Sequence, residues 1–337
     1  MFKKVQLAHG GGGKLTDELI TDIILKYIPY QSVLLDGAIL DCVNGRISFT
    51  TDSYVVSPAF FPGGDVGKLA VCGTCNDIAM TGAKPIALSL ALIIEEGFEI
   101  AKLEMIMQSI GESAKQANVK IVTGDTKVVP KGQADGIYIN TAGVGELLNE
   151  AQLGFERINQ GDKILINGTI GNHGLAVMAV RENLSFQTSI RSDVAFLGYI
   201  TKELIESLGE DIKFLRDPTR SGIAGVLNDI AKETNCNVAI DEKSVPIDSS
   251  VKAAAEVLGF DLFNVANEGK FIAVVSERAA SSALEICLKY PEGQHASIIG
   301  QIESKSPEAS PAVVLETSIG GKRFIQKPYG EQLPRIC

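Results

Sequence analysis

Three aspartates, Asp52, Asp77 and Asp125, stand beside small residues in the first half of the sequence. Their surroundings read TTDSY, TCNDIAM and VTGDTKV, and each aspartate is predicted to lie at the end of a strand or helix. Carboxylates are preferred ligands of Mg²⁺, which takes a few of them together with substrate phosphates. Small neighbours would leave room for a nucleotide. Aspartate is also a common cap or turn residue, so both interpretations stay open.

A glycine-rich stretch, HGGGGK, precedes the helical pattern LTDELITDIILKYI. Consecutive glycines let backbone N–H groups approach a phosphate, and a helix N-terminus favours anions. The stretch is not a Walker A loop, because Ala8 and Leu15 replace the glycine and the Ser/Thr of that motif. A phosphate-covering lid and a plain flexible amino terminus are both compatible with the residues Gly10, Gly11, Gly12, Gly13 and Lys14.

The last residue of the sequence, Cys337, is a second chemical candidate. Pro328, Gly330 and Pro334 disfavour a helix or a central strand, so the residues before it are predicted to form an irregular arm. Such an arm could present a thiol to another protein and then withdraw it into a site on its own chain. Prenylation is excluded because its signal needs three residues after the cysteine. The alternative is a frayed terminus whose cysteine has no role.

Two other features have both a chemical and a structural interpretation. His173, in the loop GTIGNHG at a predicted helix start, could be catalytic or could cap and pack. Cys72 and Cys75 form a CxxC pair within KLAVCGTCNDIAM, which is typical of a buried helix. Since no second pair accompanies them, a zinc site would lack ligands.

Composition and charge narrow the class of protein. The 337 residues carry 31 basic and 41 acidic side chains, a net charge of −10. This charge argues against non-specific binding to nucleic acid or to an anionic membrane. The sequence shows no signal peptide and no apolar run of about 18 residues, so we expect a cytoplasmic protein. Its six scattered cysteines are expected to be reduced.

Strand and helix patterns alternate along the chain and predict an α/β (α+β) protein of two domains, separated near Gln152–Asp162. The predicted segments are a glycine-rich segment with a helix (1–37), an N-terminal ATP-binding domain (38–150), a C-terminal α/β domain (151–306) and a flexible arm (307–337). Specific predictions include a hairpin of Ala38–Asp41 with Arg46–Thr51, a helix opened by Gly63-Gly64-Asp65, a helix at Ile100–Gln116, a strand at Lys120–Thr123 and a helix at Ser249–Leu258.

Several longer pieces resemble the HypE family of hydrogenase maturation proteins. They are TTDSYVVSPAFFPGGDVGKLAVCGTCNDIAMTGA, VTGDTKVV, NGTIGNHGLAV, RDPTRSGIAG, NEGK and the terminal PRIC. That family is part of a superfamily of ATP-dependent enzymes that includes aminoimidazole ribonucleotide synthetase, selenophosphate synthetase and thiamin-phosphate kinase. The resemblance implies an aminoimidazole ribonucleotide synthetase-like fold. It also implies a homodimer in which the N-terminal domains share a β-barrel with ATP bound along the interface.

The chemistry implied by this resemblance is the ATP-dependent dehydration of a carbamoyl group to a thiocyanate on Cys337. The carbamoyltransferase HypF would load the thiol, and the cyanide would pass to the iron of a NiFe-hydrogenase through the HypC–HypD complex. The amide oxygen is a poor leaving group, so ATP must first phosphorylate it. Each stage removes one N–H proton, so two proton acceptors are needed, and Lys127 and Glu268 are the candidates. A lysine of ordinary pKa ~10.4 is a weak base, so Lys127 would need a low-dielectric or cation-rich setting.

The same resemblance assigns roles to the residues already singled out. Asp52, Asp77 and Asp125 match magnesium ligands, the last two also contact nucleotide, and phosphate contacts are expected from Gly10, Gly11, Gly12, Gly13, Lys14 and Lys68. Two alternatives stay open. The protein could catalyse another phosphoryl-activating reaction of the superfamily with an idle arm, or it could be a thiol carrier that hydrolyses no nucleotide.

Overall fold

The computed structural model describes residues 3–6, 9, 18–28, 45–182, 190–327, 333 and 336–337. The glycine-rich stretch with Lys14 and the predicted strand Ala38–Asp41 lie outside these residues. A helical segment precedes the first described sheet, with a π-helical turn at Ile20–Ile24 and α1 at Leu25–Tyr27. Within the described part of the chain, no helix has both the length and the apolar character needed to cross a lipid bilayer.

The first half of the chain forms a four-stranded sheet in the order β1-β6-β4-β5. The pairs β1–β6 and β6–β4 are antiparallel, whereas β4–β5 is parallel. Both β1 and β5 are therefore edge strands of the described sheet. Its strands are β1 (Ile47–Tyr54), β4 (Ala83–Glu95), β5 (Lys120–Val129) and β6 (Ile137–Leu147), and a two-stranded ribbon of β2 (Phe60–Phe61) and β3 (Gly64–Asp65) lies beside it.

The two faces of this sheet differ in an unusual way. Along β1 the side chains of Ser48, Thr50, Asp52 and Tyr54 point inward, while Ile47 and Phe49 are exposed on the outer face. Strands normally bury their apolar positions, because burial of apolar surface provides most of the folding free energy. The inward polar face of β1 thus indicates a polar site between the sheet and the helices that cover it.

Two helices cover the inner face, α2 (Val66–Met80) and α3 (Ile100–Gln116). The helix α2 begins directly after Gly63-Gly64-Asp65, as predicted, and Asp65 caps it by accepting hydrogen bonds from the backbone N–H groups of Gly67 and Lys68. Small residues bring α2 close to the sheet. A Cβ at Gly73 would lie 2.3 Å from the Tyr54 hydroxyl oxygen, so only glycine permits this approach.

The second half forms a seven-stranded sheet in the order β13-β12-β9-β11-β7-β10-β8, in which only β12–β9 is a parallel pair. Its strands are β7 (Lys163–Ile166), β8 (Ile212–Arg216), β9 (Asn237–Asp241), β10 (Ile272–Val275), β11 (Ser297–Glu303), β12 (Val313–Glu316) and β13 (Lys322–Ile325). The helices are α4 (Asn172–Arg181), α5 (Gly198–Leu208), α6 (Gly222–Thr234), α7 (Ser249–Leu258) and α8 (Ala280–Leu288).

The prediction of an irregular arm from residue 307 was wrong over residues 313–325. There β12 and β13 form a hairpin closed by a backbone hydrogen bond from the N–H of Thr317 to the carbonyl oxygen of Gly321. Val313, Leu315 and Ile325 are buried in the core, so burial of apolar side chains stabilises the hairpin against the sheet. We reserve the word tail for residues 326–337, which follow β13.

Candidate functional site

Four carboxyl groups, from β1, α2 and the second half of the chain, lie close enough together to interact electrostatically. This carboxylate cluster consists of Asp52, Asp77, Asp217 and Glu268. Burial raises the pKa of Asp77, and the charge of Asp52 acts in the same direction. Burial also raises the pKa of Asp217 to about 7, with further contributions from Asp77 and Asp52. Repulsion within the cluster therefore opposes the simultaneous ionisation of all four carboxyl groups.

Asp52 and Asp77 are positioned by neighbours on β1. Thr50 donates its hydroxyl proton to Oδ2 of Asp77 at 2.9 Å, and the backbone N–H of Ser53 donates to Oδ1 of Asp52 at 3.0 Å. A guanidinium nitrogen of Arg220 lies 3.4 Å from Oδ1 of Asp52, but 81% of the Arg220 side chain is exposed. The long, exposed contact contributes little binding energy, so the carboxylates are left available to a cation.

Glu268 is the most deeply buried member of the cluster, at 2% exposure. Burial raises the pKa of Glu268 well above its ordinary value, and the charges of Asp217, Asp193, Asp52 and Asp77 add to the effect. Its Oε1 atom is buried and has no hydrogen-bond partner among the described residues. Burying a polar atom without a partner costs free energy, so its presence here indicates a ligand or a chemical role.

The backbone of Glu268, rather than its carboxyl group, is fixed by the surrounding structure. The side-chain amide of Asn76 donates to the carbonyl oxygen of Glu268 at 3.3 Å and to that of Ala195 at 2.9 Å. The N–H of Glu268 donates to Oδ1 of Asp193 at 3.2 Å. Asn76 belongs to α2, so a helix of the first half holds a residue of the second.

A buried ion pair completes this support. The ammonium group of Lys270 lies 3.2 Å from Oδ2 of Asp193, and both side chains are less than a tenth exposed. A Cβ at Gly269 would lie 1.7 Å from the carbonyl oxygen of Asp193, so only glycine allows the two backbone segments to pass. This contact explains the glycine of the NEGK sequence.

Lys127 and Asp125 occupy a different part of the same chain. They form an ion pair of 3.0 Å on β5, with side chains 65% and 61% exposed. The register places Asp125 beside Ala91 and Lys127 beside the exposed Ile93, on the outer face of the sheet. At about 4.8 Å per strand, the three steps from β5 to β1 span roughly 14 Å. One chain alone therefore does not bring these two residues to Asp52 and Asp77.

The prediction that the three aspartates lie at element ends was wrong. Asp52 lies within β1, Asp77 lies within α2, and Asp125 lies in the middle of β5, which continues well beyond the predicted end at Thr123. The strand continues because its backbone keeps pairing with β4 through the Gly124-Asp125 sequence.

Lys68 lies in the first turn of α2, and its ammonium group is directed to the carbonyl oxygen of Gly63 at 3.4 Å.

Cys72 and Cys75 serve packing. Both are buried and reduced in α2, and burial raises the pKa of Cys72 to about 12. A thiol of such high pKa is almost entirely protonated at neutral pH and is a poor nucleophile. The structural interpretation of the CxxC pair is therefore the one that the geometry supports.

The end of the tail lies against the body of the protein. The N–H of Val55, immediately after β1, donates to a main-chain carboxylate oxygen of Cys337 at 3.1 Å. His173 lies 2.6 Å, through Nε2, from the carbonyl oxygen of Ile336. Val55 is three residues from Asp52, about 10 Å along an extended strand. The tail thus ends on the strand that supplies one carboxylate of the cluster.

A magnesium site in the cluster would rest on two carboxylates. Among the described residues, no group of three histidines, cysteines or carboxylates is placed to hold a metal ion. Mg²⁺ commonly rests on one or two carboxylates and fills its remaining positions with phosphate oxygens and water. Asp52 and Asp77, whose charges repel each other, fit that mode of binding.

Sequence reasoning missed several residues of this site. Asp217 was visible only as part of RDPTRSG, where an aspartate before a proline is typical of a turn. Asp193 and Lys270 are separated by 77 positions in the sequence, and no local pattern links them. Asn76 precedes Asp77 in the sequence, but its contacts with Ala195 and Glu268 depend on how the two halves of the chain pack.

Known proteins provide independent information about the fold. The sequence matches the family described as AIR synthase related protein, N-terminal domain, over residues 35–147. It matches the corresponding C-terminal domain family over residues 159–310. The predicted two-domain fold of the aminoimidazole ribonucleotide synthetase type is therefore confirmed.

Individual relatives are similar over nearly the whole chain. The carbamoyl dehydratase HypE of Bradyrhizobium diazoefficiens is 45% identical over 335 residues, which cover 99% of this chain and 96% of that protein. A crystal structure of the hydrogenase maturation protein HypE in complex with ATP has a TM-score of 0.94 at 43% identity and covers 98% of this chain and 99% of that one. The HypE chain matched in the crystal structure of a HypE–HypF complex has a TM-score of 0.80 at 46% identity, covering 94% and 100% of the two chains.

Proposed function

This chain belongs to the HypE family of carbamoyl dehydratases, and from that premise we propose that it converts an S-carbamoyl group on Cys337 to a thiocyanate at the expense of ATP. The observation that carries the proposal is the docked tail. Cys337 is held by the N–H of Val55, on the continuation of the strand that bears Asp52. The residue that would be modified is thus bound next to the strand that supplies Asp52, one of the two carboxylates that would hold the nucleotide's cation.

The reaction balances in two steps. The carbonyl oxygen of the carbamoyl group attacks the γ-phosphorus of ATP, ADP leaves, and one N–H proton is lost, which gives an imidate phosphate. The second N–H proton is then lost, the C–O bond breaks, and inorganic phosphate leaves as the C≡N bond forms. The sulfur–carbon bond to Cys337 is retained throughout. The product cyanide is thereby still attached to the protein.

Asp52 and Asp77 are the residues that would hold a magnesium ion together with the phosphates of ATP. When bound, the ion would offset the negative charge of the phosphates and of the carboxylate cluster. The ATP complex of a HypE relative supports the nucleotide part of this assignment. Lys68, in the first turn of α2, and the glycines Gly10–Gly13 with Lys14 are further candidates for phosphate contact.

Glu268 is proposed as one of the two proton acceptors. Its pKa is raised well above the ordinary value by burial and by four surrounding carboxylates, which makes it a stronger base than an exposed glutamate. Offsetting the charge of Asp52, Asp77 and Asp217 lowers that pKa and frees the carboxylate. Its buried Oε1 atom, which lacks a hydrogen-bond partner among the described residues, is then available to accept a proton from nitrogen.

Lys127 is proposed as the second acceptor, acting on Cys337 of a second copy of the chain. Within one chain it lies on the outer face of the sheet, roughly 14 Å from β1. That face also exposes Ile47, Phe49 and Ile93, and both β1 and β5 are edge strands of the described sheet. Exposed apolar faces and free strand edges favour association. A homodimer built on this face, with a shared β-barrel and Asp125 beside Lys127, would complete the site.

The proposed partners follow from the family. The HypE–HypF complex supports HypF as the carbamoyl donor to this chain, and a HypC–HypD complex is the proposed cyanide acceptor on the way to a NiFe-hydrogenase. ATP and reduced thiols are both available in the cytoplasm, where we place the reaction. If Cys337 is not the attachment point, the fold is compatible with another phosphoryl-activating reaction of the superfamily.

Intact mass spectrometry tests the proposal. The protein is incubated with its carbamoylating partner, first without ATP and then with Mg-ATP. The first reaction should add one carbamoyl group, and the second should remove one water, a loss of ~18 Da, from the loaded protein. The Cys337→Ala protein should do neither yet still bind Mg-ATP. Unchanged mass of the loaded wild-type protein after addition of Mg-ATP would refute the dehydration.

A further inference from the structure

His173 contacts the tail rather than the carboxylate cluster, and no step of the reaction above uses it. It lies at the start of α4 and is completely buried. The ring packs edge-on against Phe61, with 5.3 Å between the two ring centroids. The described residues of the tail are buried beside it, Leu333 at 8% and Ile336 at 6% exposure.

A chain of hydrogen bonds fixes the orientation of this histidine. Nε2 lies 2.6 Å from the carbonyl oxygen of Ile336, which can only accept, so Nε2 carries the proton. Nδ1 lies 2.8 Å from the hydroxyl oxygen of Ser192, which donates to it. That hydroxyl oxygen accepts in turn from the N–H of Val194 at 3.1 Å. The donor and the acceptor of each of these hydrogen bonds are thus determined, and the neutral ring is held in a single tautomer.

The charge state of the ring agrees with this geometry. Burial lowers the pKa of His173, whereas Asp193 and the Ile336 carbonyl act in the opposite direction without reversing the shift. The ring is therefore neutral at pH 7. A neutral donor binds a neutral carbonyl without the desolvation cost of a buried charge, which suits a contact that must form and break.

The main-chain oxygen atoms of two consecutive tail residues are held by donors from the two halves of the chain. Val55, in the first half of the chain, donates to Cys337, and His173, in the second half, donates to Ile336. Both contacts are made to backbone atoms, so they set the register of the tail. A slip by one residue would break both hydrogen bonds and move Ile336 out of its buried position.

We propose that His173 is a positioning residue that docks the end of the tail and so places the Cys337 thiol for dehydration. The docking contact is a property of the folded chain and holds for any chemistry at Cys337. Its consequence for dehydration rests on the proposed function. His173 therefore shifts the balance between a docked tail, which reacts, and an extended tail, which is loaded by a partner.

The docking part is tested by the reactivity of Cys337 in the complete, unloaded protein. We compare wild type with His173→Leu, which removes the donor, and His173→Gln, whose amide can donate near the position of Nε2. His295→Leu, at an exposed histidine, is the matched control. Alkylation by iodoacetamide is followed for each cysteine by peptide mass spectrometry, with the partly exposed Cys236 as internal reference.

His173→Leu should speed alkylation of Cys337 by about tenfold, because a buried carbonyl loses its partner. His173→Gln should stay within about threefold of wild type, and His295→Leu should not differ. Equal Cys337 rates in wild type and His173→Leu would overturn the proposal. If His173→Leu does not fold, Ser192→Ala decides: loss of the tautomer-fixing hydroxyl should speed alkylation of Cys337 but not of Cys236, and an unchanged rate overturns the proposal.

A second measurement separates this inference from the proposed function. After carbamoylation, His173→Leu should load at least as fast as wild type but dehydrate about tenfold more slowly, and His173→Gln should restore the rate. If the carbamoyl group on wild-type Cys337 never loses water, the proposed function fails, but the alkylation rates still show whether His173 docks the tail. If His173→Leu dehydrates at the wild-type rate, the positioning role is refuted even though the function stands.

Discussion

Replacing Asp217 by asparagine should stabilise the protein at neutral pH. Burial, Asp77 and Asp52 raise the pKa of Asp217 from its ordinary 3.8 to about 7. At 1.36 kcal/mol per pKa unit, a difference of about three units corresponds to a destabilisation of the folded protein by at most ~4 kcal/mol. The neighbouring carboxyl groups share this energy, so we expect about 2 kcal/mol from Asp217 alone. Asparagine keeps the shape of the side chain and removes the titration.

The pH dependence has a definite sign. Between pH ~4 and pH ~7 the folded protein keeps a proton on Asp217 that the unfolded chain has lost. The free energy of unfolding of the wild type therefore decreases as pH rises through this window, and this loss is complete above it. The free energy of unfolding of the Asp217→Asn protein does not decrease in this way. The variant should therefore be as stable as the wild type at pH 4 and more stable by the full amount at pH 8.

Thermal unfolding without nucleotide measures the effect. For 337 residues the entropy of unfolding is about 0.7 kcal/mol/K, so 2 kcal/mol corresponds to about 3 °C in Tm at pH 8. The control is Glu256→Gln, at an exposed carboxyl group on α7, which should follow the wild-type curve. Parallel curves for wild type and Asp217→Asn from pH 4 to pH 8 would refute the reasoning about the cluster.

Three further predictions concern activity. Asp77→Asn should weaken Mg-ATP binding in a calorimetric titration while the fold is kept, and unchanged affinity would remove Asp77 from the site. Lys127→Ala and Glu268→Gln should each accept the carbamoyl group but dehydrate it 10²–10⁴-fold more slowly, and mixing the two inactive proteins should restore turnover if Lys127 acts on the partner copy. Appending several residues after Cys337 should slow dehydration more than loading, and normal thiocyanate formation would show that the end of the chain is unconfined.

Elements with a strong local pattern could be predicted from the sequence. The helix at Ile100–Gln116 and the helix at Ser249–Leu258 have the predicted ends, because apolar periodicity and their flanking residues agree. The helix opened by Gly63-Gly64-Asp65 was also predicted correctly, since an aspartate that caps a helix is a local signal. In each case the sequence signal that predicts the helix lies within about fifteen residues.

Features that depend on distant contacts could not be predicted in this way. The alternation of β1 is inverted, because its inner face meets the carboxylate cluster instead of an apolar core. The hairpin of β12 and β13 was taken for an arm because both strands are short and the hairpin joins the sheet through the pairing of β12 with the distant β9. The contact between His173 and Ile336 joins residues 163 positions apart, and no spacing rule indicates it. The site is thus recognisable from its residue types but not from their spacing.

The way in which Glu268 is held follows from what a buried base requires. A carboxyl group that is stabilised by hydrogen bonds to its oxygens becomes a weaker base, because those bonds favour the ionised form and lower its pKa. Here Asn76 and Asp193 bind the backbone of Glu268, and Oε1 has no hydrogen-bond partner among the described residues. Position is therefore fixed without loss of basicity. The free energy cost of the unsatisfied atom is offset by the rest of the fold, and binding of a cation and nucleotide to the cluster would recover part of it.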